Sequence, residues 1–123
     1  QEMQLYNIYP QGNFICATKD TPFFQIGESK YGKPILDRAL SYDMPLDQAL
    51  RCSLISFDST LRSNVSVGLP LDCFVYQIDS LHIPIGKRIY EEDPYFANIS
   101  KQWSETLRKG LHELPTPTAD YLE

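Results

Sequence analysis

The feature that most limits the fold of this chain is the run DCFVYQI at residues 72–78, which is apolar on both faces of a strand. Successive side chains of a strand point to opposite sides of the sheet. The apolar residues of this run divide accordingly, with Cys73 and Val75 on one face and Phe74, Tyr76 and Ile78 on the other. A strand of this kind belongs in a sheet that is covered on both faces. The fold must therefore supply a layer on each face of this strand.

Four further runs predict strands. Residues 3–18 predict a β-hairpin, because strand-forming residues lie on both sides of the turn residues Pro10–Asn13. Residues 21–27, TPFFQIG, predict a third strand that ends at Gly27. After residues 72–78, the run LHIPI at 81–85 predicts a last strand, at an edge or a strand end because of Pro84.

Apolar residues at helical spacing predict three helices. The first begins at Ser29 or Lys33 and ends at Leu40. The second begins after Asp43, which could cap it, and carries Asp58 and Arg62 as an ion pair on its outer side. The third begins at the cap–proline pair Asp93–Pro94, and Gly110 would stop or weaken it. An irregular tail follows.

This order of elements leaves one face of the predicted sheet uncovered. The two adjacent helices would form a hairpin on one face, and only the last helix remains for the other. The strands nevertheless require a second layer. The sequence therefore predicts an α+β chain that is half of a larger domain.

Composition limits the class of protein. A length of 123 residues with 42% hydrophobic and 22% charged residues indicates one soluble globular domain. A net charge of -5 argues against nucleic-acid binding, and no apolar run approaches the roughly 18 residues of a membrane span. The three widely spaced cysteines indicate reduced thiols in a cytoplasmic protein. Because the chain opens on Gln1, we expect that residue not to be the start of the gene product.

Two short loops are the candidates for chemistry. One is the corner Gly27–Ser29 between a strand and a helix, and the other is residues 62–68, RSNVSVG. Both contain hydroxyls and a glycine, so the residues alone leave open turn-and-cap chemistry or a functional site. The corner is not a G-x-S-x-G nucleophile elbow, because the second glycine is missing. His82 and His112 have no partners at metal-ligand spacing.

The same segments, taken in order, resemble the second half of a proteasome-type subunit. The resemblance runs from LYNIYPQGNF through FQIGES, the helix pair and RSNVSVG to CFVYQID. It is more specific to the bacterial proteasome-like family called Anbu, on the segments YPQGNF, QIGESKYGKPILDR, STLRSNVSVGLPLD and DPYF. It covers roughly residues 4–111. We accordingly assign residues 1–111 to the C-terminal portion of such a domain and 112–123 to an irregular tail.

The resemblance implies a fold and partners. The family fold is the four-layer αββα sandwich of N-terminal-nucleophile hydrolases, and this chain would be its C-terminal half. The implied partners are the N-terminal half of the same protein, further copies in a ring or helical assembly, and a peptide or amide substrate. No cofactor and no metal are expected.

The resemblance also implies that the catalytic residues are divided between the two halves of the protein. In such enzymes the first residue of the mature chain is a threonine, whose hydroxyl attacks the amide and whose α-amino group acts as base. That threonine and its supporting lysine and aspartate belong to the N-terminal half, and Gln1 cannot replace them. The resemblance assigns three serines of this chain to the supporting shell, which is the set of residues that hydrogen-bond near the amine of the threonine. They are Ser29, Ser63 and Ser66. Ser63 stands where ordinary catalytic subunits carry an aspartate, which removes a negative charge.

Three hypotheses follow from these observations. The first is a threonine-type peptidase or amidohydrolase subunit, of which this chain is an inactive C-terminal portion. The second is a noncatalytic assembly subunit of the same family. The third, without the resemblance, is a small α/β interaction domain in which Ser29 and Ser66 only shape turns. Under the first two, Ser29 and Ser66 should converge on one point, and the chain alone should self-associate.

Overall fold

A computed structural model describes residues 2–123, which form three α-helices and two small antiparallel sheets. In chain order the elements are β1 (Tyr6–Ile8), β2 (Phe14–Cys16), α1 (Lys33–Ala39), α2 (Leu46–Ser63), β3 (Leu71–Cys73), β4 (Lys87–Ile89), α3 (Pro94–Glu113) and a short 3-10 helix (Ala119–Tyr121). The α+β class is confirmed. The expectations about Gln1 lie outside the described residues.

The first predicted hairpin is confirmed, and the third predicted strand is wrong. β1 and β2 pair antiparallel, with Tyr6 opposite Cys16 and Ile8 opposite Phe14. The amide of Tyr9 donates to Asn13 O at 2.8 Å and closes the turn. Residues 22–26 belong to neither of the two sheets.

The helix pair α1–α2 is confirmed, with corrected ends. α1 begins at Lys33, the later of the two predicted starts, so that Pro34 lies in its first turn. The N-cap position of α2 is Pro45, and no side chain caps this helix, so the predicted Asp43 cap is wrong. The buried Gly32 lies where α1 meets α2, close to the backbone of Ser56.

The third helix begins as predicted and ends later. Asp93 accepts a hydrogen bond from the Phe96 amide at 2.9 Å, and Pro94 is the first helical residue. The helix continues through Gly110 to Glu113, so Gly110 does not end it. α3 packs against α2 and the second sheet, where Leu54, Ile89 and Phe96 form the buried core.

The two-sided strand is shorter than predicted. β3 covers only Leu71–Cys73 and pairs with β4, where Leu71 is opposite Ile89 and Arg88 binds the carboxylate of Asp72 with two bonds of 2.7 Å. Residues 74–85 are in no strand. Their large apolar side chains remain exposed, namely Phe74, Val75, Tyr76, Ile78, Leu81, Ile83 and Ile85. The strand ends at Cys73, which is the last residue of the run packed against the core, and the apolar side chains that follow it are 39–100% exposed.

Exposed apolar side chains are spread over the sheets and loops of the chain. Ile83 and Ile85 are 94% and 100% exposed, and Ile8 of β1 is 72% exposed. The helices supply one layer, and a second layer is missing from the described residues. Within residues 2–123, no helix is both long and apolar enough to cross a bilayer.

The start of α3 gives a pH-dependent contribution to stability. The Phe96 amide and the Lys87 ammonium, whose Nζ lies 3.1 Å from Oδ2, hold the pKa of Asp93 below its ordinary value. Because the folded-state pKa is the lower one, this contribution is present above the aspartate pKa of the unfolded chain. It is lost as the pH falls through the folded-state pKa.

The substitution Asp93→Asn should therefore weaken the loss of stability on acidification. Asparagine keeps an oxygen that can accept from the Phe96 amide but removes the charge that faces Lys87. The measurement is urea unfolding of both proteins between neutral pH and pH near 3. Glu105→Gln, which removes an exposed carboxylate from the same helix, is the control. An unchanged pH profile for Asp93→Asn would contradict the assignment.

Candidate functional site

The corner after residue 26 is built by Gly27 and Glu28. Gly27 has φ +85°, a left-handed conformation that glycine adopts without a steric penalty. Glu28 fixes the turn, because its Oε1 accepts from the Lys30 amide at 2.8 Å and its backbone oxygen accepts from Gln25 Nε2 at 2.7 Å. Ser29 is half-buried beside it. The N-cap residue of α1 is Gly32, so Ser29 does not cap this helix.

The second candidate loop is organised by Asn64, which follows the last residue of α2. Asn64 Oδ1 accepts from both the amide and the hydroxyl of Ser66, at 2.9 and 2.6 Å. Ser63 is exposed at the end of the helix. The two serines therefore differ. The Ser66 hydroxyl donates to the amide oxygen of Asn64, whereas Ser63 is exposed to solvent.

The two loops are in contact. Asn64 Nδ2 donates to Glu28 Oε2 at 3.3 Å, across 36 residues of sequence. One hydrogen-bonded network therefore runs from the corner through Asn64 to Ser66. It brings the loops of Ser29 and Ser66 together, and the meeting of those two side chains at one point stays a prediction. Sequence reasoning did not single out Asn64, although an asparagine before a serine in a turn is a typical Asx-turn residue.

A groove lies beside this network, and we call it the corner groove. Its volume is about 360 Å³, and it lies between the segment before the corner, helices α1 and α2, and the second loop. It is lined by Phe23, Phe24, Gln25, Ile26, Glu28, Leu36, Leu40, Ser53, Ser56, Phe57, Thr60 and Val67. The Oε1 atom of Gln25 is buried and has no hydrogen-bond partner. Glu28 is the one ionisable residue of the lining.

These groups can hold a hydrogen-bond donor but do not form a nucleophile–base pair. The Ser66 hydroxyl donates to an amide oxygen, which cannot take its proton. The carboxylate of Glu28 makes the corner negative, which suits an amine or a backbone N–H. Within residues 2–123, no three histidine, cysteine or acidic residues are grouped so that they could hold a metal ion.

Comparisons with known proteins gave matches among the solved structures and none among family models or curated proteins. No family model matches the chain, and no curated protein matches it. Solved structures do match. The helical assembly of the Anbu complex from Pseudomonas aeruginosa shares 64% identity over 96% of this chain and 49% of that one, with a TM-score of 0.91.

Two further structures agree with this match. Anbu (ancestral beta-subunit) from Yersinia bercovieri shares 62% identity over 94% of this chain and 49% of that one, with a TM-score of 0.88. Anbu from Hyphomicrobium sp. strain MC1 shares 52% identity over 94% and 50%, with a TM-score of 0.89. The chain thus spans about half the length of the solved chains that it matches.

Proposed function

The chain belongs to the Anbu family, as a C-terminal half of its fold, and we propose that it forms part of a threonine-type peptidase or amide hydrolase. In this proposal the attacking threonine belongs to the N-terminal half, and the present chain supplies the residues that hold the threonine's amine. Its free cysteines fit a cytoplasmic protein.

One observation carries the proposal: the hydrogen bond from Asn64 to Glu28 joins the two loops that the resemblance assigns to the supporting shell. The network contains the Glu28 carboxylate and the hydroxyl oxygen of Ser66. Such oxygens accept hydrogen bonds from a terminal amine, each worth about 1 kcal/mol, and more where charge assists. Glu28 also restores a negative charge near the loop where Ser63 lacks one.

These residues position the amine of the threonine and do not themselves attack the substrate. The amine of an N-terminal threonine acts as base only when its lone pair faces the threonine hydroxyl. Glu28, Ser29 and Ser66 would fix its orientation through hydrogen bonds. Because Asn64 ties Ser66 to Glu28, it keeps both acceptors in place.

The test uses a complete subunit, in which this chain is joined behind the N-terminal half of the P. aeruginosa Anbu protein. We expect a threonine-directed β-lactone to add its mass to the N-terminal residue of the matured subunit and not to the present chain alone. Intact-mass and peptide mass spectrometry locate the adduct. Equal labelling of both proteins, or an adduct within residues 2–123, would refute the placement of the nucleophile.

Asn64→Ala should slow this labelling about tenfold, the cost of one well-placed hydrogen-bonded support. The matched control is Asn98→Ala, which removes an exposed asparagine that bonds Gln102 on α3. The control should label within about twofold of the parent protein. Equal rates for the two variants would remove Asn64 from the supporting shell.

A noncatalytic assembly role is the second candidate. It is favoured by the helical assembly of the P. aeruginosa relative and by the exposed apolar surface of this chain. The β-lactone experiment separates the two. A complete subunit that assembles but takes up no label, and whose first residue is not threonine, would have the assembly role alone.

A further inference from the structure

We propose that Ser100 of α3 is a positioning residue for the supporting shell. Together with Asp58 and Arg62, it holds the last turn of α2 in place. The loop that carries Asn64 and Ser66 follows that turn directly. The proposal rests on the proposed function only for the reaction that this loop serves, and the hold of Ser100 on the loop can be tested without any catalysis.

Ser100, Asp58 and Arg62 form a closed cluster between α2 and α3, in which each residue bonds the other two. The Ser100 hydroxyl donates to Asp58 Oδ1 at 2.6 Å and accepts from Arg62 Nη2 at 3.0 Å. Arg62 Nε donates to Asp58 Oδ2 at 3.3 Å. Hydrogen bonds to charged groups are stronger than bonds between neutral groups. The Asp58 side chain is only 7% exposed, so water competes little for its oxygens.

This cluster restrains the end of α2. Within residues 2–123, every side-chain hydrogen bond between α2 and α3 involves Ser100. Arg62 is the next-to-last residue of α2, and Asp58 lies one turn before it. The last turn of a helix lacks helical partners for its carbonyl oxygens, and helix ends fray. Bonds from α3 therefore limit how far this end of α2 can move.

The loop after α2 is hydrogen-bonded to the helix end and within itself. The Asn64 amide donates to Thr60 O at 2.8 Å, and the Ser66 amide donates to Asn64 Oδ1 at 2.9 Å. The Val67 amide donates to Asn64 O at 3.2 Å. A shift of the last turn therefore moves Asn64 and the loop with it. The bond from Asn64 Nδ2 to Glu28 Oε2 is 3.3 Å long, and the usual N–H···O distance is about 2.9–3.0 Å, so a small shift would break it.

The first test uses the complete subunit, in which this chain is joined behind the N-terminal half of the P. aeruginosa Anbu protein. Ser100→Ala should slow the covalent step at saturating β-lactone about fivefold, through the loss of one hydrogen-bonded support. The β-lactone concentration that gives half the maximal rate should change by less than about twofold, because Ser100 acts on the amine through the loop and not on the binding of the inhibitor.

Two variants separate the Ser100 hydroxyl from general stability. Ser104→Ala makes the same change one turn later on α3, at a half-buried serine whose hydroxyl makes no hydrogen bond within residues 2–123. Ser100→Thr keeps the hydroxyl. Both variants should label within about twofold of the parent subunit. A rate for Ser100→Thr as low as that for Ser100→Ala would overturn the role of the hydroxyl.

A double variant tests whether Ser100 acts through Asn64. If it does, the two effects are not additive. Ser100→Ala combined with Asn64→Ala should then label no more slowly than Asn64→Ala alone, about tenfold below the parent subunit. Independent effects would multiply to about fiftyfold, and that result would overturn the proposal.

Amide hydrogen exchange measures the hold on the loop directly. In the complete subunit, Ser100→Ala should speed exchange of the Ser66 amide about fivefold, and Ser104→Ala should speed it by less than about twofold. A general loss of stability would instead speed exchange of the amide of the buried Leu54 and leave that of Ser66 unchanged. That result would overturn the proposal.

The two readouts keep this proposal apart from the proposed function. A parent subunit that takes up no label refutes the proposed function, and the exchange rate of the Ser66 amide then decides for or against positioning by Ser100. A parent subunit that labels, with equal labelling rates and equal Ser66 exchange for Ser100→Ala and Ser104→Ala, refutes only the positioning.

Discussion

Replacing Asp58 with alanine is expected to lower the free energy of unfolding by about 2 kcal/mol, because Asp58 is a buried carboxylate that joins two helices through hydrogen bonds. Its Oδ1 accepts from the Ser100 hydroxyl on α3 at 2.6 Å, and its Oδ2 accepts from Arg62 Nε at 3.3 Å. Arg62 Nη2 also donates to Ser100 Oγ at 3.0 Å. Alanine would leave the Ser100 hydroxyl and the Arg62 Nε without their acceptor and leave a void between α2 and α3.

The matched control is Asp37→Ala, which breaks another aspartate–cation pair four residues apart on a helix. Both partners of the Lys33–Asp37 pair are about half exposed, at 47% and 46%, whereas the Asp58 side chain is only 7% exposed. An exposed pair of this kind contributes less than about 1 kcal/mol. Urea unfolding at one fixed protein concentration measures both variants. Similar losses for the two would show that the α2–α3 cluster does not stabilise the fold.

Gly32→Ala is expected to destabilise the chain by about 2 kcal/mol through overpacking at the α1–α2 contact. A Cβ on Gly32 would lie 2.9 Å from the backbone oxygen of Ser56 and 2.9 Å from Thr60 Oγ1. A side chain could turn away, but a backbone oxygen within α2 cannot do so unless the helices separate. The midpoint of urea unfolding measures the loss.

The control for this variant is Gly110→Ala, where an added Cβ meets nothing within 4 Å. Gly110 lies inside α3, so alanine should raise stability by about 0.5–1 kcal/mol through helix propensity. The two glycine substitutions therefore have opposite expected signs. A neutral or stabilising Gly32→Ala would contradict the close approach of α1 to α2.

The parts of the fold that depend on local residues were predictable from the sequence. The turn residues before Phe14 predicted the first hairpin, and the pair Asp93–Pro94 predicted the start of α3, because each acts within a few residues. Asp58 shows where local reasoning fails. Its spacing predicts the ion pair with Arg62. Its predicted position on the outer side of α2 was wrong, because it accepts a hydrogen bond from Ser100, which lies 42 residues further along the chain.

The candidate site was predictable to the level of its loops. Glycine and hydroxyl residues marked both loops, and the resemblance assigned Ser29, Ser63 and Ser66 to them. The residues that join the loops, Glu28 and Asn64, were missed because their contact spans 36 residues. The strand prediction for residues 74–78 was wrong for a related reason. Their two-sided apolar pattern requires a covering layer that residues 2–123 do not contain.

We propose that these residues are half of a sandwich whose exposed apolar surface is covered by another half. The most direct measurement is the mass of the chain alone in solution, by size-exclusion chromatography with light scattering over a range of concentrations. We expect species heavier than the 14.1 kDa of one chain, and more of them as concentration rises. A monodisperse, stable monomer of 14.1 kDa at every concentration would contradict the claim.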